Sequence, residues 1–205
     1  MDAKCILHES HIPHEMSVDC VDSLSSERSR TMCCTGVLNE LWKLVAVLHV
    51  LERTERDAEC VEFQTPDDAL LRVVEDLQAL HEFLTGRLIT IRIQLVSGRS
   101  LQQRFSHPSM PRPLVLFSGG LDSLAAALSL STRTRPLLFH ATTSDIIMSR
   151  ALSLRCGHKA LIGHPMMLGD CRFSGLGGGF SQTRGLLFLS AAANAAWNLG
   201  ASEIV

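Results

Sequence analysis

Three features are missing from this sequence, and each absence narrows the class of protein. No apolar run reaches the roughly 18 residues of a membrane-spanning helix, so we expect no membrane partner. None of the 7 cysteines has C-x-x-C spacing, and their odd number is typical of reduced thiols. A net charge of −2 at pH 7 gives no wholesale attraction to nucleic acid, so none is expected as a partner. Tyrosine is also absent, and we have no physical account of that.

The overall composition, with 46% hydrophobic and 20% charged residues, is typical of an ordinary soluble globular protein. A chain of 205 residues is long enough for one ample domain or two small ones. The first residues, MDAKCILHESHIPHE, are too polar and too acidic for a signal peptide. The sequence therefore predicts a cytoplasmic protein.

The N-terminal 35 residues predict a poorly ordered tail. Ser, Asp, Glu and Arg dominate VDSLSSERSR, which has little hydrophobic periodicity to bury. His8, His11 and His14 recur at every third residue, and contact with a metal is one interpretation of this spacing. Short His-containing tails are more often solvated, and we favour that interpretation.

Residues 36–105 predict a small α+β domain, followed by a proline-containing linker over 106–113. Leu38–Leu51 is dense in apolar residues and predicts a helix, although its Trp42–Leu51 part also suits a valine-rich strand. His49 is interpreted as a histidine at the edge of the core. Nothing in this domain carries recognisable chemistry.

A helix and a strand complete that domain in the prediction. Thr65 as N-cap and Pro66 at the first helical position begin a helix whose apolar residues keep helical spacing to Leu84. Gly86 is its expected C-cap. Arg87–Val96 alternates apolar and polar residues, which predicts a half-buried strand.

The most informative stretch is LVLFSGGLDSLAAALSL, from Leu114 to Leu130. Leu114–Phe117 has the length and composition of a buried parallel strand. The glycines of SGGLDS then break the strand, and LAAALSL resumes with strong helix formers. Strand, glycine turn and helix together direct backbone N–H groups and a helix N-terminus at one point, where an anion binds favourably.

SGGLDS resembles the SGGxDS loop of the PP-loop ATP pyrophosphatases, which cleave ATP between its α and β phosphates. The resemblance implies ATP as the nucleotide and an adenylated intermediate that a nucleophile attacks. The alternative is a Ser/Gly turn that caps an ordinary helix, with Asp122 interacting with the helix dipole. The strand before the motif and the helix after it favour the phosphate loop.

The resemblance also assigns roles to residues of the loop. Asp122 would bind Mg²⁺, since a carboxylate beside phosphates needs a divalent cation between them. The residues expected to hold the pyrophosphate end of ATP are Ser118, Gly119, Gly120, Leu121 and Ser123.

The residues after the loop helix predict two more strands and a helix. Pro136–His140 is the second strand, and the polar residues that follow it include Thr142. His140 and Thr142 line the adenine or ribose pocket in one interpretation, because ligands of open α/β sheets bind outside the carboxyl ends of strands. Ordinary loop chemistry explains them equally well. Ile146–Leu154 predicts the helix and Ala160–His164 the third strand.

Zinc is not supported by this sequence. Cys156, His158, His164 and Cys171 are ligand types that zinc prefers, but their spacing matches no compact site. The glycine-rich FSGLGGGF, residues 173–180, predicts a loop.

The last segment, FSQTRGLLFLSAAANAAWNLGASEIV, provides a second resemblance. Together with SGGLDS it is similar to the QueC branch, the 7-cyano-7-deazaguanine synthases of queuosine biosynthesis and their relatives in antiviral defence operons. That resemblance implies that Arg184, at the start of an alanine-rich helix ended by Gly200, stabilises charge on the phosphates. A surface arginine is the alternative. Ala201–Val205 then predicts a strand.

Three departures from the synthases favour a defence-associated or accessory relative. HATTSDI replaces an aromatic and basic phrase, the C-terminal four-cysteine zinc site is absent, and about 110 residues precede the loop region. We therefore expect an α/β fold: a parallel-sheet PP-loop domain (adenine nucleotide α-hydrolase-like) over 114–205, incomplete at its C-terminus, behind the α+β domain.

The expected function is a QueC-like ATP-dependent ligase or amidotransferase that uses ATP and Mg²⁺. It adenylates a carboxylate or amide of a small-molecule (deazapurine-type) or protein acceptor and releases AMP and pyrophosphate. The alternative is a nucleotide-binding scaffold with protein partners in a defence complex. An incomplete sheet favours that alternative and predicts weak ATP binding for these residues alone.

Overall fold

The chain forms two compact units, each with its own sheet. The first contains Met1–Val21, Thr35–Gln103 and Leu168–Ser190, and the second contains Asp22–Cys34, Arg104–Met167 and Ala191–Val205. The computed structural model describes residues 2–9, 12–21, 36–54, 58–97, 113–117, 120–131, 137–140, 163–165, 167–168, 182–199, 201 and 203–205.

The first unit is built on a mixed sheet. Strands β1 (Asp2–Glu9) and β2 (Ile12–Val21) form an antiparallel hairpin, and β1 also pairs antiparallel with β3 (Cys60–Thr65). Strand β4 (Thr90–Leu95) is parallel to β3. The order is β4-β3-β1-β2-β8, where β8 is the two-residue Met167–Leu168.

The two strands correct the prediction of a poorly ordered tail at Asp2–Glu9 and Ile12–Val21. Backbone pairing of β1 with both β2 and β3 stabilises this polar segment. Such pairing uses N–H and C=O groups that every non-proline residue carries, so the hydrophobic pattern does not reveal it. Residues 22–35 of the predicted tail lie outside the described residues.

Helix α1 (Val37–Thr54) confirms the helical interpretation of Leu38–Leu51. Gly36, with φ of 115°, precedes the helix, and its carbonyl accepts the N–H groups of Asn39 and Glu40. Every residue from Leu44 to Leu51 is buried. A helix that is apolar all round belongs inside a core, and α1 is the centre of the first unit.

The predicted helix after Pro66 is two shorter elements. Asp67, rather than Thr65, is the cap, because its carboxylate accepts the Ala69 N–H (3.0 Å) and begins a 3₁₀ helix, Asp68–Arg72. Thr65 ends β3 instead, and its hydroxyl accepts the Asp67 N–H. Helix α2 (Val74–Thr85) follows, and Gly86 is its left-handed C-cap (φ 69°), as predicted.

Strand β4, Thr90–Leu95, confirms six residues inside the strand predicted at Arg87–Val96. In and just before this strand, Ile89 and Ile91 are buried, whereas Leu88 and Leu95 are exposed. Strand β4 lies at the end of the sheet. The sequence prediction did not include β3, although Val61 and Phe63 alternate with Glu62 and Gln64 there.

The second unit is an α/β arrangement with a parallel sheet. Strands β5 (Leu114–Phe117), β6 (Leu137–His140) and β7 (Gly163–Pro165) are parallel, in that order. Strand β7 begins three residues later than the third strand was predicted. Helix α3 (Leu121–Ser131) packs Leu124, Ala126 and Leu130 against a core that contains Val115 and Phe117.

The end of the chain adds a short strand segment to the other edge of β5. The N–H of Leu114 donates to the Glu203 carbonyl and that of Leu116 to the Val205 carbonyl, both at 2.8 Å, and Leu114 pairs parallel with Ile204. The strand predicted at Ala201–Val205 is thus borne out only around Ile204, as a single bridge with hydrogen bonds at Glu203 and Val205, and Ser202 lies outside the described residues. The order across the sheet is therefore β7-β6-β5 and then residues 203–205.

Helix α4 (Arg184–Leu199) confirms the predicted alanine-rich helix, and the Ala201 N–H donates to the Ala196 carbonyl after its last turn. Gly200 and the predictions for residues 146–154 and 173–180 lie outside the described residues. Among the helices of the described ranges, none has the length and apolarity to cross a membrane.

Candidate phosphate-binding site

The candidate site begins where β5 ends and α3 starts. Phe117, the last residue of β5, is buried, whereas Gly120 and Leu121 at the beginning of the helix are exposed, Leu121 by 83%. The Gly120 carbonyl accepts the Leu124 N–H at 3.0 Å and forms the first hydrogen bond of the helix. The first-turn N–H groups of an α-helix have no acceptor within the helix, so this exposed end is electropositive.

The polar side chains of this helix start differ in their interactions. The Ser123 hydroxyl donates to the Gly120 carbonyl (3.0 Å), and rotation about its χ1 angle is needed before it donates elsewhere. Asp122 is exposed and, within the described part of the chain, makes no hydrogen bond or ion pair. The carboxylate is therefore available to a ligand.

The topology of the second unit gives this position a special place in the sheet. Along the chain, β5, β6 and β7 follow each other to one side, and residues 203–205 return to the opposite side of β5. The strand order thus reverses at β5. In open α/β sheets, ligands bind outside the carboxyl ends of the strands at such a reversal, because the two connecting segments diverge and leave a crevice.

His140 lies at the same edge of the sheet as the loop. It ends β6 and is the register partner of Phe117, one strand spacing of about 4.8 Å away. The backbone thus places His140 beside Phe117 at the carboxyl end of β5, and its role in a ligand pocket stays a prediction. The predicted site residues Ser118, Gly119 and Thr142 lie outside the described residues.

Arg184 belongs to the first unit, whereas the residues of the helix start belong to the second. It is the first residue of α4, and its guanidinium lies 5.2 Å from the centroid of the Phe188 ring, one turn later. A cation at a helix N-terminus opposes the helix dipole by roughly 0.3–1 kcal/mol.

The start of α4 is held by side chains of α1. The Glu52 carboxylate accepts the N–H groups of Gln182 (2.7 Å) and Thr183 (3.0 Å), and it also accepts the Thr183 hydroxyl. This carboxylate supplies the negative charge that a helix N-terminus favours, next to the arginine that opposes it. Glu52 therefore caps α4 from another helix.

His49 completes this buried cluster. Its Nδ1 lies 2.8 Å from the Thr183 hydroxyl oxygen, and both residues are buried. Because that hydroxyl donates to Glu52, it accepts from His49, which therefore carries its proton on Nδ1. The sequence interpretation of His49 as a residue at the core edge agrees with its burial but missed Glu52 and Thr183. A threonine directly before the helix was the only available signal.

No group of three or more His, Cys, Asp or Glu side chains in the described ranges is arranged to hold a metal ion. A Mg²⁺ ion at Asp122 would be held by this carboxylate together with phosphate oxygens and water, as in nucleotide sites. The buried Cys60 belongs to the core of the first unit, and its burial raises the pKa of the thiol.

Comparison with known proteins gave no assignment: no protein-family model, curated protein or solved structure matches this chain significantly.

Proposed function

We propose that the second unit binds ATP through the loop between β5 and α3, in the manner of the PP-loop ATP pyrophosphatases. The observation that carries this proposal is the position of the SGGLDS segment at the reversal of strand order in a parallel sheet. That position follows from backbone pairing and is independent of the motif. Two separate arguments, one from residues and one from topology, therefore favour the same loop.

The described residues fit a triphosphate. Gly120 is exposed and has no Cβ to hinder the approach of a phosphate, and the helix behind it directs N–H groups outward. Asp122, exposed and without a partner among the described residues, suits a bridging Mg²⁺. Bound Mg²⁺ would neutralise charge on the phosphates.

The reaction we propose is adenylation. An acceptor oxygen, from a carboxylate or an amide, attacks the α phosphorus of ATP; the bond between the α and β phosphates breaks, and pyrophosphate leaves. The QueC-like resemblance of residues 181–205 favours a deazapurine-type or protein acceptor. Arg184 is proposed to stabilise negative charge on the phosphates, a role that rests on the resemblance alone.

A second candidate function is nucleotide binding without catalysis, as a scaffold in a multi-protein complex. Among the described residues of the second unit, Asp122 and Glu203 are the only charged ones other than histidine, so no described cation of that unit neutralises the departing pyrophosphate. In this alternative ATP would bind and stay intact.

Product analysis separates the two candidates. Purified protein is incubated with Mg²⁺ and ATP, with and without carboxylate and amide acceptors, and the nucleotides are separated by chromatography. AMP with pyrophosphate supports the ligase. ADP with phosphate contradicts the assignment, since SGGLDS lacks the lysine with which a P-loop reaches the β and γ phosphates. ATP binding without cleavage, measured by calorimetry, supports the scaffold.

A further inference from the structure

Strand β4 is the outermost strand of its sheet, and no described strand pairs with the edge that faces away from β3. The N–H groups of Thr90 and Val96 both donate to carbonyls on the β3 side at 3.0 Å. Backbone groups of successive residues point to opposite edges of a strand, so the even-numbered residues of this segment bond towards β3. Ile91, Ile93 and Leu95 therefore present their N–H and C=O groups to the other edge, where the sheet order ends.

One end of this edge is covered by a side chain. The Ile91 N–H donates to Oε1 of Gln78 on α2 at 2.7 Å, so the acceptor position of a neighbouring strand is already occupied there. Natural sheets protect their edges in such ways. From Ile93 to Ser97, no contact among the described residues covers the edge.

The uncovered part is also the apolar part. Residues 93–97 read IQLVS and contain no charged residue or proline, the usual protection of an edge strand. Leu95 is 52% exposed and Val96 38% exposed. The nearest charge, Arg92, lies 3.6 Å from a carboxylate oxygen of Glu62 on β3 and is partly neutralised.

We propose that residues 93–97 pair antiparallel with the same residues of a second copy of this chain, about a two-fold axis at Leu95. In this register Leu95 faces the second copy's Leu95, and Ile93 faces its Ser97. These residues all point to the open edge, so each facing pair exchanges both of its backbone hydrogen bonds.

The same register favours a second copy over an unrelated strand. Gln94 faces Val96, so no like charges lie opposite each other, and the exposed Leu95 side chains cover one another across the axis. A segment that complements itself about a two-fold axis gives a closed dimer rather than an open chain of subunits. Gln78 sets the limit of the pairing, because a longer register would displace its amide from Ile91.

The pairing is short, and we therefore expect weak, reversible dimerisation that increases with protein concentration. It involves the first unit only and does not depend on the proposed nucleotide site.

The test is sedimentation equilibrium of the full chain over a range of concentrations. Leu95→Lys places two like charges opposite each other on the axis, and we expect it to be monomeric throughout. Leu88→Lys is the matched control. Leu88 is 73% exposed and precedes β4, beyond the end of the edge that Gln78 covers, so this variant should dimerise like the wild type. Equal melting temperatures of the two variants show that each is folded.

Residue-specific amide exchange by NMR locates the contact. The proposal expects the amides of Ile93 and Leu95 to gain protection as concentration rises, while those of Gln94 and Val96, which point to β3, do not change. A wild type that stays monomeric, a Leu95→Lys variant that still dimerises, loss of dimers in Leu88→Lys, or protection confined to other residues would each overturn the proposal.

Discussion

Asp122 is the residue on which the proposed chemistry depends most. It lies in the first turn of α3, exposed, and no described residue of the chain pairs with it. We predict that Asp122→Ala abolishes Mg²⁺-dependent ATP turnover, because the carboxylate would bridge the cation to the protein. The melting temperature should change little, since an exposed acidic residue in the first turn of a helix contributes only about 0.3–1 kcal/mol.

The control for this variant is Asp76→Ala. Asp76 is also an exposed acidic residue in the first turn of a helix, α2, but belongs to the other unit. It should leave turnover unchanged. Retained turnover in Asp122→Ala, or equal loss in both variants, would remove the cation-bridging role.

Ser123 offers a related prediction at the same position. Ser123→Ala removes a hydroxyl that now donates to the Gly120 carbonyl and that rotation would direct at a phosphate. We expect nucleotide binding to weaken by about 1–3 kcal/mol, the range for a lost hydrogen bond to a charged group. Isothermal titration measures the change, and an unaltered affinity would exclude the hydroxyl from the site.

His81 gives the first unit a dependence on pH. It is 3% exposed on α2, and this burial lowers its pKa below the usual 6.5, against a backbone hydrogen bond at Arg87 and the Glu52 charge, which raise it. The folded state therefore binds a proton less readily than the unfolded state. The free energy of unfolding should therefore not depend on His81 above pH 6.5. It should decrease as the pH falls from 6.5 through the lowered pKa of His81.

Urea unfolding above and below pH 6.5 tests this dependence, with His81→Gln as the comparison, since glutamine is polar but does not titrate in this range. The variant should lose less stability than the wild type on acidification. The same loss in both proteins would assign the pH dependence to other groups among the 9 histidines or to carboxylates.

A few polar contacts determine where the helices begin and end, and the start of α4 is the clearest case. Glu52→Ala would leave the N–H groups of Gln182 and Thr183 and the buried Thr183 hydroxyl without this acceptor. We predict a loss of about 1–3 kcal/mol in the free energy of unfolding, because hydrogen bonds to a charged group are among the stronger ones.

The unfolding midpoint in urea measures that loss. Glu52→Gln should lose less, since the amide retains one acceptor oxygen. Glu82→Ala, an exposed position on α2, serves as the control and should be near neutral. If Glu52→Ala and Glu82→Ala unfold at the same urea concentration, the carboxylate does not stabilise α4.

Elements with strong internal patterns were the ones that sequence reasoning predicted. Helices α1 and α4 carry long apolar runs, and β5 with α3 combines a short apolar strand, glycines and helix formers. The missed strands were β1, β2 and β3, which are polar or follow a charged turn. Their stability comes from pairing with each other, and a single segment does not show its partner.

For the whole molecule, a phosphate-binding site implies stabilisation by ligands. A ligand that binds only the folded state, at a concentration 100 times its Kd, adds about 2.7 kcal/mol. We therefore predict that ATP or pyrophosphate with Mg²⁺ raises the melting temperature, while AMP, which lacks the β and γ phosphates, does so less. Differential scanning fluorimetry measures the melting temperature with each ligand. Equal stabilisation by AMP and ATP would contradict a site that binds the β and γ phosphates of ATP.

The sequence by itself determined the local features: the glycine turn between a strand and a helix, the helical spacing of α1 and α4, the alternation in β4 and the cap at Gly86. These features depend on side chains a few residues apart. Only the tertiary structure decided that residues 203–205 lie beside β5, which places the loop at the reversal of strand order. It also brought Glu52 to Gln182, 130 residues away, and left the β4 edge open. Such contacts use backbone groups or single polar side chains, so they leave no periodic pattern in the sequence.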